Sequence, residues 1–417
     1  MGAASPIPTH AAASRPTPPA TRALIDARGK GPWRVVGGIP LVTRLVRSLE
    51  LEGVQTIDVL CDTLQPAETL GARRKGTRAE SVVLAPGRSP AQALAERARG
   101  DLVLAVDGCL VVDRRLLRAL LAERTPTVVP PQPEDPHIGL ALLDAVSASR
   151  FGARPSPADP VARLLPERLP TFSDEMRGET PILYRAARAP DAARVAERAL
   201  VTATQKHVMD APARWLDPPI ENAIVTKLAP TRVTPNQVTI GCTLLGFVTA
   251  WLLWHGAFAL ALPLMYLVGW LDGVDGKLAR LRLHYSPLGA EESYFDFAYE
   301  NAWWIALAAH LTCVGHAQAV GWGIALVGGN LLDEIAYTIG HTRLDVALDL
   351  LSPADGAFRL IAGRRNIYAA ILLVATLLGS PYGGLVAMGA WAVFTGVVHA
   401  LRLAVALWTP SRSGLHA

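Results

Sequence analysis

At 417 residues the chain is long enough for two domains or more, and 51% hydrophobic residues with a mean hydropathy of +0.27 is high for a wholly water-soluble protein. The net charge of +4 is modest and no basic stripe or RNA-binding signature is present, which argues against a nucleic-acid partner. The cysteines, Cys61, Cys109, Cys242 and Cys313, lack metal spacing and imply no disulfide framework, as in a reduced, cytoplasm-facing soluble part.

Residues 1–20 are rich in Ala, Pro and Ser without an apolar core, so they read as a disordered tail and not as a secretory signal. Residues 21–205 alternate short apolar runs with charged ones. The runs at 23–25, 56–60, 81–84 and 101–106 have the length and composition of buried parallel strands. Helical patterns over 41–52, 90–99 and 114–123 separate them. The alternation predicts a doubly wound α/β domain with helices on both faces. The stretch 35–42, containing Gly37, Gly38 and Pro40 and leading into an amphipathic helix, resembles a sugar-nucleotidyltransferase fold, as does Val106-Asp107-Gly108. That resemblance implies Asp107 as a metal ligand of the N-terminal domain, with a structural strand-end role as the alternative of equal weight. The glycine-rich loop that cradles phosphates in that family is reduced here to residues 27–31. The expectation is therefore a degenerate nucleotidyltransferase-like domain retained for docking or binding.

Residues 206–237 read as a linker in which 220–228 form an amphipathic helix along the membrane interface. Thr234 and Pro235 then set a turn and a helix cap. Long apolar stretches dominate 238–409. They predict an all-α membrane domain of six transmembrane helices at 238–256, 258–278, 295–313, 317–340, 366–381 and 383–408, followed by a tail at 410–417. The connections near 255–256, 315–316 and 380–381 carry no Lys or Arg. Lys227, Arg232, Arg280, Arg282, Arg343, Arg359, Arg364, Arg365 and Arg412 fall on the opposite side. The positive-inside rule then places the N-terminal domain, both termini and the acidic motif in the cytoplasm, with the protein integral to the inner membrane.

Asp272 and Asp275 are three residues apart in an apolar run, on one helical face. Carboxylates at membrane depth are costly and usually face a cavity. A second pair, Asp296 and Glu300, is four apart at the start of the next apolar stretch. Four converging carboxylates suit a hard divalent cation, Mg2+ or Mn2+. At these residues the chain is similar to the CDP-alcohol phosphotransferases (CDP-alcohol phosphatidyltransferases), whose signature is D-x-x-D-G-x-x-A-R, eight or nine residues, then G-x-x-x-D-x-x-x-D. Asp272, Asp275, Gly276, Ala279, Arg280 and Gly289 match its fixed positions. Strict counting from Gly289 reaches Ser293 and Phe297. Placing Asp296 and Glu300 on the last two acidic positions needs three inserted residues within 290–294 and a Glu for the final Asp.

The resemblance implies transfer of a substituted phosphate from a CDP-alcohol donor to an acceptor hydroxyl, with release of CMP. It implies Asp272, Asp275 and Asp296 as metal ligands and Glu300 as the general base that also approaches the metal. Asp272, Gly276, Ala279, Arg280 and Gly289 would bind the nucleotide, and a homodimer amid membrane lipids is the expected assembly. Arg282, Arg359, Arg364 and Arg365 are candidates to bind an anionic acceptor. The two-part layout also resembles fused enzymes of di-myo-inositol phosphate biosynthesis, which implies an inositol-phosphate-like acceptor. Two alternatives stand beside this reading: a bifunctional enzyme whose N-terminal domain makes the CDP-alcohol from CTP, and a non-catalytic nucleotide-binding membrane scaffold.

Overall fold

The computed structural model describes residues 22–71, 77–98, 100–133, 135–154, 156, 161–344 and 346–408. The tails expected at 1–20 and 410–417, and Arg412, lie outside these residues.

The N-terminal half is built on a seven-stranded sheet. Its spatial order is Ala162–Arg163, Thr127–Val128, Leu140–Leu143, Val103–Asp107, Arg22–Asp26, Thr56–Cys61 and Arg78–Val83. The four strands read from the sequence run parallel to one another, with Arg22–Asp26 between Thr56–Cys61 and Val103–Asp107. Side chains alternate between two cores, as the period of a strand requires. Ala23, Ile25, Val59 and Val106 pack with helices Leu41–Leu51 and Arg114–Leu121, whereas Leu24, Leu60 and Ala105 pack with helix Pro90–Arg97. The expectation of parallel strands alone is corrected inside the sheet. Leu140–Leu143 runs antiparallel to both Val103–Asp107 and Thr127–Val128, so the sheet is mixed. Its four apolar residues are too few to show a period, which is why the sequence hid it.

The C-terminal half is helical: Pro235–Trp254, Phe258–Arg282, Glu292–Cys313, Ala319–Leu344, Arg365–Leu377 and Pro381–Trp408 stand where six spans were expected. Among the described residues, three are long and apolar enough to cross a membrane: Pro235–Trp254, Phe258–Arg282 and Pro381–Trp408. Length and composition therefore support three of the six expected spans. Arg365–Leu377 is apolar but short, and Glu292–Cys313 carries three carboxylates in its first turns.

The helices that carry the acidic motif are fixed by specific contacts. Thr234 and Gln237 form a capping box at the start of Pro235–Trp254, with Pro235 at its first position. Trp303 donates to the Gly246 carbonyl at 2.7 Å, and a Cβ on Gly246 would lie 2.5 Å from the Tyr299 ring. Glu292–Cys313 thus seats directly on Pro235–Trp254. The helix expected at 220–228 spans Asp217–Leu228. It packs on Phe258–Arg282 through Val225, Val274 and Leu278.

Candidate active site

Helix Phe258–Arg282 presents Asp272, Asp275, Gly276, Ala279 and Arg280 to one cavity of about 570 Å3. Gly289 and Asp296 line the same cavity from the next segment, so the geometry brings together every residue assigned to the nucleotide and to the first three metal positions. Glu292 joins them. One carboxylate oxygen from each of Asp272, Glu292 and Asp296 falls within 4.8 Å of the other two. Glu175, Gln205 and Lys206 reach the cavity from the N-terminal side.

Each carboxylate has its own support. Thr239 Oγ1, one turn into its helix, donates to Asp275 Oδ2 at 2.6 Å, while the buried Asp275 Oδ1 has no partner. Arg365 Nη2 lies 2.5 Å from Asp272 Oδ2. The same guanidinium reaches Tyr299 Oη at 2.8 Å and Glu300 Oε1 at 3.1 Å through Nη1. Glu300 is thereby drawn to Arg365 and is not among the residues lining the cavity.

Beneath the motif, Lys277 is buried and pairs with Glu221 at 2.8 Å. Burial pushes the Glu221 carboxyl above its ordinary range, against the pull of Lys277. A Cβ on Gly273 would lie 2.1 Å from Glu221 Oε1, so a side chain there would have to displace the Glu221–Lys277 pair. Gly276 differs. A Cβ there would meet only the movable Arg280 guanidinium, at 3.2 Å, so packing leaves room for a ligand against its backbone. Arg280 Nε is anchored to the Thr204 carbonyl at 3.1 Å.

The four arginines considered for an anionic acceptor go to different places. Arg282 is buried and donates to the carbonyls of Leu228, Ala229, Thr231 and Val233, outside the cavity lining. Arg359 stands 3.7 Å from Asp349, and Arg364 lies 3.2 Å from Asp333. Both guanidinium groups cover the Tyr337 ring. Asp333 also pairs with His399 inside the helical half. Of the four, Arg365 alone touches the aspartate cluster. A carboxylate such as Asp333 in an apolar helix demands a partner, and Arg364 supplies it.

In the N-terminal half, Asp107 Oδ2 sits 2.5 Å from Arg188 Nη2, and its Oδ1 accepts from the Cys109 amide at 2.8 Å. Arg188 also holds Asp135 at 2.7 Å. At the neighbouring strand end Arg28 pairs with Asp26 at 2.8 Å, and the Gly29 amide donates to Asp62 at 2.6 Å. The short 27–31 loop lies close on this edge: a Cβ on Gly31 would be 2.6 Å from Cys109 Sγ.

Residues 232–408 match the family model described as CDP-alcohol phosphatidyltransferase. The chain is 33% identical over 182 residues to the bifunctional IPC transferase and DIPP synthase of Rubrobacter xylanophilus, covering 43% of this chain and 38% of that one. It is 36% identical over 144 residues to the protein of the same name from Thermococcus kodakarensis, covering 34% and 32%. The matched part is thus well under half the length of either relative. Among solved structures, HddC from Yersinia pseudotuberculosis aligns at 12% identity over 43% of this chain and 98% of that one, with a TM-score of 0.29.

Proposed function

Since residues 232–408 match the CDP-alcohol phosphatidyltransferase family model, we propose that the protein is an integral-membrane CDP-alcohol phosphotransferase that releases CMP. The observation that carries the reading is the single cavity lined by the matched half-signature and by converging carboxylates. The donor set fits a divalent cation. Its ligands are hard oxygens, and the buried Asp275 Oδ1 lacks a partner in the protein. Asp272, Asp275, Glu292 and Asp296 would hold Mg2+ or Mn2+, which supplies neutralisation of the pyrophosphate charge.

The protein groups do the rest. Arg280 offers its fork of donors to the pyrophosphate, and Gly276 admits the nucleotide against the helix backbone. The acceptor oxygen forms a bond to the phosphorus of the alcohol phosphate as the bond to the CMP oxygen breaks. Asp296 takes the acceptor's proton. Glu292 and Asp296 keep the four-residue spacing of the last two acidic positions of the signature and need one residue fewer after Gly289. The pair Asp296 and Glu300 needs three more. Glu300 then serves to hold Arg365, which in turn orients Asp272. The names of the relatives fit an inositol-phosphate-like acceptor. The reading includes six crossings, a cytoplasmic site and a homodimer. It treats the N-terminal domain as inactive in nucleotidyl transfer, because the carboxylate of Asp107 is already paired with Arg188.

The test is CMP release by the purified, detergent-solubilised full chain with Mn2+ or Mg2+. CDP-diacylglycerol and CDP-inositol would be crossed with inositol phosphate, glycerol phosphate and inositol. Turnover with one pair, lost with EDTA and restored by the metal, supports the transferase and names its substrates. Binding of CMP with no turnover across the panel would favour the scaffold instead.

A further inference from the structure

We infer that the N-terminal domain is a positioning element of the transferase site: Arg44 and Arg47 hold the C-terminal end of the helix that carries Asp272, Asp275 and Arg280. An α-helix leaves its last four carbonyls without partners inside the helix. In Phe258–Arg282 two of them are closed locally. The Leu283 amide, in the left-handed conformation at φ 49°, donates to Arg280 O at 3.2 Å, and the His284 amide donates to Ala279 O at 2.8 Å. The other two are closed from the N-terminal domain. Arg44 Nη1 donates to Leu281 O and Arg47 Nη1 to Arg282 O, each at 2.7 Å.

The two arginines lie three residues apart on helix Leu41–Leu51 and so share a face. They are 4% and 8% exposed, and Arg44 Nη2 is fixed to Val36 O at 2.8 Å. Two buried cations at the negative end of a helix dipole are favourably placed. Burial, with Arg47 beside it, holds the Arg44 guanidinium down to about 10. The turn at Gly37 and Gly38 completes the seat. Both have positive φ, and a Cβ on Gly38 would lie 2.0 Å from Ala229 O, while one on Gly37 would lie 2.8 Å from Leu281 Cδ1. From Leu281 the helix runs back to Arg280, one residue away, and to Asp275 and Asp272 within three turns. Loss of the clamp therefore frees the end of the element that sets the site. This gives an α/β domain with a closed strand-end site a reason to stay fused to the helices.

The activity and Mn2+ readouts of the test rest on the reading above, whereas the exchange readout does not. In the full chain, Arg44→Ala/Arg47→Ala is compared with wild type by amide hydrogen exchange, Mn2+ affinity and steady-state CMP release. Exchange over 279–284 should quicken at least ~10-fold as the helix end opens. Mn2+ affinity should fall several-fold, and kcat should drop about 10-fold or more with donor KM little changed, because misplacement acts mainly on the transition state. Exchange over Val103–Asp107 should stay native and reports that the domain is folded. Arg47→Lys, which keeps a donor for one carbonyl, should recover part of the loss. A folded double variant with wild-type exchange over 279–284 and wild-type Mn2+ affinity overturns the inference. Should the double variant not fold, Arg47→Ala alone decides by the same readouts. A wild type that releases no CMP but shows the exchange effect would sink the transferase reading and leave the clamp standing.

Discussion

Glu292 stands one helical turn before Asp296, and both bring a carboxylate oxygen within 4.8 Å of Asp272. Glu300, one further turn along, is instead engaged by Arg365 at 3.1 Å. This ordering ranks three substitutions. Glu292→Gln and Asp296→Asn should each lower kcat for CMP release by ~100-fold or more, the scale of a lost general base or ligand. Glu300→Gln should cost only about 10-fold, since Arg365 keeps its pairing with Asp272. Full activity in Glu292→Gln with a dead Glu300→Gln would reverse the assignment.

Thr239 gives Asp275 its side-chain hydrogen bond, at 2.6 Å, and leaves the other carboxylate oxygen free for an ion. Thr239→Val preserves shape while removing that donor. Groups that orient a metal ligand are typically worth ~10–100-fold in affinity or rate, so the Mn2+ concentration for half-maximal CMP release should rise by that order. Thr239→Ser should restore the wild-type curve. An unchanged metal dependence in the valine variant would mean that Asp275 is held by other contacts.

The length and composition of the apolar runs made the parallel strands legible, and the spacing of Asp272, Asp275, Gly276 and Arg280 made half of the site legible. Glu292 was missed for a physical reason. Its role depends on where helix Glu292–Cys313 begins and on its phase against Phe258–Arg282, and the 290–294 stretch carries no apolar period to fix either. The pairing of Arg365 with Asp272 joins residues 93 apart in the chain. The clamp from Arg44 ends on a backbone carbonyl, which has no side-chain identity to read.

Arg188 bridges Asp107 and Asp135 where a nucleotidyltransferase would need a free carboxylate for its metal. The full chain should therefore release no pyrophosphate from CTP with a polyol phosphate. Asp107→Asn should leave CMP release within about two-fold of wild type, because Asp107 is not among the residues lining the cavity of the acidic cluster. Pyrophosphate release that Asp107→Asn abolishes would instead establish the bifunctional enzyme.

Cys313 offers a direct test of orientation, because it is exposed while Cys61, Cys109 and Cys242 are buried. It ends helix Glu292–Cys313, beside a connection near 315–316 that carries no Lys or Arg. Helices Pro235–Trp254, Phe258–Arg282 and Glu292–Cys313 lie between it and the N-terminal domain. Three crossings put Cys313 on the face opposite that domain, and two would put it on the same face. A membrane-impermeant maleimide added to intact cells should label one thiol, and Cys313→Ser should remove the signal. Labelling that appears only after permeabilisation would place Cys313 inside. That result would remove Glu292–Cys313 from the spanning helices or invert the whole topology, and protease access to the N-terminal domain separates the two.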